Sequence, residues 1–449
     1  MANSRRSPPA DLSAHVAHKL EAWAGGARAL MLALSGGRDS IVLLELVRPW
    51  CAARGVRFGA THVHHGLSAH ADAWAAFCAA LCDRHAIDFE LVRVTIDRSM
   101  STSVEAAARA ARYRALATAA RRQGVDAVLL AQHADDQAET VLLQLARGAG
   151  PHGLAAMPER RVVDGVTWLR PLLDIPRASI DAHAHAHALE FVDDDSNASP
   201  RFRRNALRHA LVPAMREIAP GYPGTLVRAA KLAAEAANLA DDLAAIDARH
   251  AFDGATLARQ RLRELPAHRA RNLMRWFLRS AGLRAPSSAR LGAMLAQLVE
   301  AAPDARVQLV HDGAQVGIHA GRVIVHPMAP AAFECAWRGE PSLALPHGTL
   351  NFTPAAGDGL LATTASSSRW SVRARRGGER LTLDAARPRR MLKSLLQEAG
   401  MPTWDRDALP LVFCDDALAA VPGVGVDVAF RTGAGAAGVA VCWVAQARR

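Results

Sequence analysis

The sequence predicts an α/β fold: a Rossmann-like parallel sheet with helices on both faces, followed by a helical middle domain and a small α/β C-terminal domain. Three observations predict it. Short apolar runs alternate with helical patterns through the first half of the chain, as strand–helix–strand units require. A double-glycine turn joins the first such run to the first such helix. Around Pro200 to Pro223 the alternation stops, and helical patterns dominate from Tyr222 to about Glu300.

Each element follows from its local pattern. Residues 29–34 read as a buried strand and 40–53 as a helix. Residues 58–63 give a second strand, and 71–85 a helix. Residues 89–96 and 104–122 repeat the unit, as do 127–131 and 137–147. Ligands of such a sheet sit at the carboxyl ends of its strands. Beyond the helical stretch, 307–309 and 323–325 are strand-like, and 327–354 is rich in Pro and Gly. The division expected is 1–220, 221–330, a linker over 331–368, and 369–449.

At 449 residues the chain is long enough for roughly two to four domains. Half of it is apolar and 22% charged, which excludes wholesale disorder. There are 54 Lys and Arg against 43 Asp and Glu, a net charge of +11, which points to a polyanionic partner. The longest weakly polar stretch, 434–445, is too short to span a bilayer and is broken by Gly435 and Gly438. The N-terminus lacks the apolar segment of a signal peptide. Six scattered cysteines without a CxxC pair fit a reducing, cytoplasmic setting.

The sharpest local signal is Ser35-Gly36-Gly37-Arg38-Asp39-Ser40, after a strand and opening a helix. Two glycines let successive N–H groups point at one anion, and the helix N-terminus adds positive potential. Ser35 and Ser40 can donate to phosphate, whereas Asp39 either holds Mg2+ or caps the helix. A plain capped glycine turn is the other reading. No Lys follows the glycines, so this is not a Walker loop.

At the end of the fourth strand, Asp136 and Glu139 are three apart and share a helix face. They suit Mg2+ or a cationic amine, or they merely favour the helix dipole. His62, His64 and His65 end the second strand, on two faces, which fits nucleotide or substrate contacts better than a metal. Arg109, Arg112 and Tyr113 fall within one turn, facing phosphate or solvent. His183 and His187 are i, i+4 but lack an acidic helper, so chance composition explains them. Cys78 and Cys82 read as buried helix residues.

The loop resembles that of the ATP pyrophosphatases, which cleave ATP between its α and β phosphates. Taken together, the motifs resemble the tRNA(Ile)-lysidine synthase family. They are the loop, His62 to Leu67, Glu105 to Tyr113, His133 to Gly148, Asp195-Ser196-Asn197, Arg204-Asn205 with Arg208, and Lys393 through Trp404. The resemblance covers nearly the whole chain. Ser68, Gln132 and Ala156 depart from it.

The resemblance implies a PP-loop ATPase fold in 1–220, with tRNA-binding domains at 221–330 and 369–449. It implies ATP-dependent attachment of L-lysine to C2 of the wobble cytidine of tRNA(Ile) with a CAU anticodon. An adenylated cytidine is the intermediate, AMP and pyrophosphate are released, and codon reading changes from AUG to AUA. Ser35, Gly36, Gly37, Arg38, Asp39 and Ser40 would hold ATP, with Mg2+ on Asp39. Asp136 and Glu139 would hold the lysine ammonium, Arg112 and Arg204 would neutralise phosphate, and His133 would take a proton. The setting implied is cytoplasmic, without a membrane, and a homodimer is among the assemblies allowed.

Three other classes compete with this reading. A PP-loop tRNA thiolase usually needs a CxxC pair. A small-molecule amide synthetase leaves the basic C-terminal third unexplained. A non-catalytic RNA-binding module does not account for intact Ser35, Asp39, Asp136 and Glu139. Two basic clusters, 259–290 with nine Arg against Glu264 and 369–393 with a local +7, are expected to contact tRNA phosphates.

Overall fold

The computed structural model describes residues 11–66, 68–96, 104–192, 203–302, 307–328, 332–357, 359–361, 369–433 and 436–445. Asp195-Ser196-Asn197 and Leu67 of the family-like motifs lie outside the described residues. The chain forms two compact units that divide between Leu239 and Ala240.

The first unit begins with α1 (Leu12–Ala24), capped by Asp11, whose carboxylate accepts from the Ser13 and Ala14 amides. Then come β1 (Ala29–Ala33), α2 (Arg38–Arg54), β2 (Arg57–His64), α3 (Ala71–Arg84), β3 (Asp88–Arg93), α4 (Val104–Gln123) and β4 (Ala127–Leu129). They are followed by α5 (Ala134–Leu145), α6 (Pro151–Leu154), β5 (Arg160–Val163), β6 (Val166–Leu169), α7 (Arg177–Ala186), α8 (Arg203–Ile218) and α9 (Tyr222–Ala248), the last of which runs into the second unit.

The six strands lie in the order β3-β2-β1-β4-β6-β5. All neighbours are parallel except β5, which pairs antiparallel with β6. The mostly parallel, helix-covered sheet matches the expectation, and β1 is buried on both faces as such a sheet demands. The β5–β6 hairpin was not anticipated. Every residue of β5 is exposed, so its sequence carries no apolar signal. Helix α5 starts at Ala134, three residues before the expected Gln137, because the Asp136 carboxylate reaches back to accept from the His133 amide at 3.2 Å.

The second unit opens with β7 (Thr256–Ala258), α10 (Arg259–Glu264), α11 (Ala267–Ser280), α12 (Ser288–Glu300), β8 (Gln308–His311), β9 (Ala314–His319) and β10 (Arg322–Pro327). The region expected as helical, with strand-like 307–309 and 323–325, holds a four-stranded antiparallel sheet, β7-β10-β9-β8, in which those two segments correspond to β8 and β10. Its two hairpin turns, Asp312-Gly313 and Ala320-Gly321, have positive φ at both residues, the geometry that matches strand twist. Phe277, Leu291, Met294, Val316 and Val323 fill the core between helices and sheet.

The chain continues through β11 (Glu334–Ala336), β12 (Ser342–Leu345), β13 (Gly348–Ala356), β14 (Trp370–Arg373), β15 (Arg380–Leu381), β16 (Arg390–Met391), α13 (Leu392–Glu398), α14 (Thr403–Ala408), β17 (Leu411–Cys414), β18 (Ala417–Val421), β19 (Gly425–Val426) and β20 (Ala437–Ala445). The stretch expected as a linker is instead structural. β11 pairs with β14, and β13 pairs with both β12 and β20. Trp337, Leu350 and Phe352 from that stretch share a core with Val372, Val412 and Ala420. Pro346 and Gly348 flank the β12–β13 turn, and Pro354 lies in β13 beyond the reach of β12, where only β20 pairs with it.

Candidate active site

In the order β3-β2-β1-β4 the chain leaves β1 in opposite directions for its two neighbours. A crevice therefore opens at the carboxyl ends of β1 and β4. The loop after β1, the end of β2 and the start of α5 meet there.

The loop is a tight backbone cradle. Gly36 has φ +85°, and a Cβ there would lie 2.9 Å from Val192 Cγ2 and 3.0 Å from Cys78 Sγ, so only glycine fits. Ser40 Oγ donates to the Gly37 carbonyl at 2.8 Å and shares a hydrogen bond with Ser35 Oγ at 3.0 Å. The Gly37 amide donates to Ser35 Oγ at 3.3 Å. Gly37 caps α2 without any side-chain acceptor for the first helical amides, which leaves their positive end for an anion.

Beside the loop is a cavity of about 300 Å³. Ser35, Asp39, Ser40, Arg112, Asp136 and Arg204 line it, together with Trp74, Arg109 and Gln132. Arg38 turns away: its Nε lies 2.9 Å from Asp181 Oδ1, and its guanidinium is 5.5 Å from the centre of the Phe191 ring.

His133 is buried behind the cavity with carboxylates on three sides. Its Nε2 is 3.6 Å from Asp39 Oδ2 and 3.5 Å from Asp136 Oδ2, and its Nδ1 is 3.9 Å from Asp135 Oδ2. Burial works against an imidazolium here, but Asp136, Asp39 and Asp135 outweigh it and hold the His133 pKa above its ordinary value. Burial likewise opposes charge on Asp136, and His133, Arg204 and Arg208 outweigh it, so that carboxyl sits below its usual range. Asp39 Oδ1 is buried and has no hydrogen-bond partner among the described residues.

Glu139 is buried and does not line the cavity. Arg204 Nε is 2.8 Å from its Oε2, and Arg208 Nη2 donates to the same oxygen at 3.0 Å. Arg208 also reaches Asp136 Oδ1 at 3.3 Å, and Arg204 donates to Thr140 Oγ1 at 3.0 Å. Helix α8 thus fastens its two arginines onto the carboxylates of α5. Arg112 is half-buried in the cavity wall, and desolvation first and the charge of Arg109 second lower its pKa.

Spacing missed the support behind Arg109. Gln132 Nε2 and Arg109 Nη2 both donate to Tyr113 Oη, at 3.4 and 3.3 Å, and Arg170 Nε donates to Gln132 Oε1 at 2.9 Å. The pairs His183–His187 and Cys78–Cys82 stay outside the chemistry. The two imidazoles stack 4.1 Å apart, and burial pushes the thiols up to about 12 and about 11.

Comparison with known proteins decides the family. Residues 12–215 match the PP-loop domain, 257–324 the TilS substrate binding domain, and 370–443 the TilS substrate C-terminal domain. The tRNA(Ile)-lysidine synthase of Nitrosomonas europaea is 39% identical over 99% of this chain and 98% of its own. This chain belongs to the tRNA(Ile)-lysidine synthase family. The enzymes of the same name from Ralstonia nicotianae and Burkholderia pseudomallei are 43% and 41% identical, over 90% and 91% of this chain and the same shares of their own. A solved U34-tRNA thiolase from Methanococcus maripaludis has a TM-score of 0.44 at 17% identity, over 50% of this chain and 80% of its own. Membership makes this chain an ATP-using, tRNA-modifying ligase. No described helix is long and apolar enough to cross a membrane.

Proposed function

We propose that the chain joins the ε-amine of L-lysine to C2 of the wobble cytidine of tRNA(Ile) with a CAU anticodon. The convergence of Ser35, Asp39, Ser40, Arg112 and Asp136 on one cavity at the switch point carries the reading. In the first step the cytidine O2 attacks the α-phosphate of ATP and pyrophosphate leaves. In the second the lysine nitrogen, having lost a proton, attacks C2, and AMP leaves with the O2 electrons.

The residues divide this work. The Ser35–Ser40 backbone and hydroxyls cradle the phosphates, and Arg112 neutralises charge that grows on them. His133 takes the proton, and the three surrounding carboxylates stabilise the imidazolium. Asp136 and Glu139 attract the lysine ammonium. Arg204 and Arg208 occupy Glu139 in this structure, so the arriving ammonium displaces Arg204, which turns to the phosphates.

Mg2+ fits Asp39. Its Oδ1 is buried without a partner, and hard carboxylate oxygens are what Mg2+ takes, usually one or two with phosphate oxygens completing its shell. Among the described residues no group of three His, Cys, Asp and Glu is poised to hold a metal, so the ion would come with the nucleotide. Bound there it would neutralise phosphate charge.

We read 1–220 as catalytic and both later regions as holding tRNA, with 331–368 joined to the last. The reaction belongs in the cytoplasm, where its three substrates meet. A homodimer is supported by exposed Leu232, Leu239, Leu243 and Ile246, which repeat along one face of α9.

The test is tRNA-dependent ATP–pyrophosphate exchange with and without lysine, followed by lysine incorporation into tRNA(Ile). Wild type should exchange without lysine and incorporate it when present. Asp39→Ala should lose exchange and keep tRNA affinity. Glu139→Gln should keep exchange and require far more lysine; loss of both would move Glu139 to the nucleotide site.

A further inference from the structure

A second, larger cavity lies in the same unit, on the other side of the loop. It measures about 1330 Å³, and its lining includes Arg38, Asp135, Arg177, Arg216, Tyr222 and Arg228. Covalent neighbours fix where it lies. Arg38 lines it while Asp39 lines the active-site cavity, and Asp135 lines it while Asp136 lines the other. Successive Cα atoms are about 3.8 Å apart. The two cavities therefore lie back to back across the N-termini of α2 and α5.

Its lining is cationic on balance, with four arginines against Asp135 and Asp181. Asp181 Oδ1 pairs with Arg38 Nε at 2.9 Å, and Asp135 Oδ2 accepts from the Arg177 backbone amide at 2.9 Å. The guanidiniums of Arg177, Arg216 and Arg228 have no carboxylate partner among the described residues. Arg228 donates to Thr225 Oγ1 at 3.2 Å, and Arg216 bonds the Tyr222 hydroxyl, both neutral groups. Helices α7 and α9 also begin at this wall, and neither has an acidic residue in its first turn. Their positive ends add to the same field.

We propose that this groove holds phosphodiesters of the RNA strand next to the nucleotide being modified. The inference rests on the tRNA reading above and adds a site within the catalytic unit. An enzyme that acts on a base must draw it out of the stack, and the backbone on either side has to be gripped while it does so. Arg is suited to that grip, because its planar fork matches phosphate oxygens. The clusters at 259–290 and 369–393 belong to the other unit, whereas these three arginines line a cavity whose wall includes Asp135, the chain neighbour of Asp136.

The experiment uses the full chain with Arg177→Gln, Arg216→Gln and Arg228→Gln combined. A charge-matched control carries Arg28→Gln, Arg57→Gln and Arg121→Gln, exposed arginines at the amino ends of β1 and β2 and in the last turn of α4. Affinity for tRNA(Ile) is measured across a salt series, with ATP affinity and thermal melting in parallel. The groove variant should bind tRNA at least tenfold more weakly at low salt. Its salt slope should fall by about two, at about 0.7 per phosphate contact on single strands. ATP affinity and melting should match wild type, and the control should keep both tRNA affinity and slope. Equal losses in both variants would reduce the effect to net charge and overturn the proposal. A raised ATP requirement with tRNA affinity intact would assign the groove to the nucleotide and overturn it too. Failure of wild type to incorporate lysine would instead strike the function itself, leaving the phosphate measurement readable.

Discussion

The two basic clusters of the second unit look alike in sequence and differ in structure. In 259–290 most guanidiniums are tied into the fold. Arg259 is buried and donates to the carbonyls of Leu298 and Val299 at the end of α12. Arg261 and Arg269 both grip Asp247, which is completely buried. Arg279 pairs with Asp241, Arg284 with Asp312, and Arg290 donates to the Val310 carbonyl. Arg271 and Arg275 are left without a carboxylate partner among the described residues. In 369–393 Arg373, Arg375, Arg376, Arg387 and Arg390 also meet carboxylates, but most of those pairs are exposed, and none rests on a completely buried acid. Arg373, Arg376, Arg380 and Arg389 line a cavity of about 350 Å³, and the partners of Arg380 and Arg389 are a thioether and a carbonyl. Local charge counts treat the clusters as equal. Acids outside the counting window decide which arginines remain for phosphate.

That contrast puts the expectation that both clusters serve tRNA to a test, and the largest effect is on stability. Asp247→Ala would strand two guanidiniums at the joint of α9, α10 and α11. Breaking a buried pair from one side costs on the order of 3 kcal/mol, visible as a lower unfolding midpoint. The salt slope of tRNA binding should not change. A normal midpoint with weakened tRNA binding would show that the first cluster faces RNA after all.

The next effect is on affinity. Arg376→Gln, Arg380→Gln and Arg389→Gln together should weaken tRNA binding about tenfold or more. The salt slope should fall by about two to three, at about 0.9 per duplex phosphate. Melting should move little, because these side chains are at the surface. The matched triple Arg261→Gln, Arg269→Gln and Arg279→Gln should lower melting and leave the slope. Cutting the chain at Arg369 is a poorer test than it looks from sequence. The cut would strip β11 of β14 and β13 of β20, and expose Trp337 and Phe352.

The same contrast explains what was legible in the sequence. The strands β1 and β2 and the helix between them are long, apolar and separated by a glycine-rich turn, so pattern alone locates them. Their carboxyl ends then gather Ser35, Asp39 and Asp136 without further information. The antiparallel strands are short and half exposed. β5 reads as Arg-Arg-Val-Val, and β12 alternates over only four residues. The Asp312-Gly313 dipeptide is a strong hairpin signal between β8 and β9. Spacing puts Glu139 on the face of Asp136, but nothing local announces that Arg204 and Arg208, more than sixty residues later, cover it. Arg38 shows the same limit: the motif names the residue, and Asp181 decides where it points.

The smallest effect is a gain. Glu334 stands beside the C-terminal groove and draws on two of its arginines, with Oε1 3.1 Å from Arg373 Nε and Oε2 3.4 Å from Arg376 Nη2. Glu334 and Arg376 are exposed, so these pairs add little to folding, but each carboxylate repels a phosphate that approaches the same guanidiniums. Glu334→Gln should therefore tighten tRNA binding about two- to fivefold at low salt, and the gain should shrink as salt screens it. In the first cluster Asp312→Asn removes a carboxylate in the same way, from Arg284 and its backbone amide. It should leave tRNA affinity where it was, since that arginine closes a hairpin turn. Filter binding of both variants at two salt concentrations reads the difference. Equal gains would mean that the two clusters share one field around the RNA, and that the division between structural and phosphate-facing arginines is wrong.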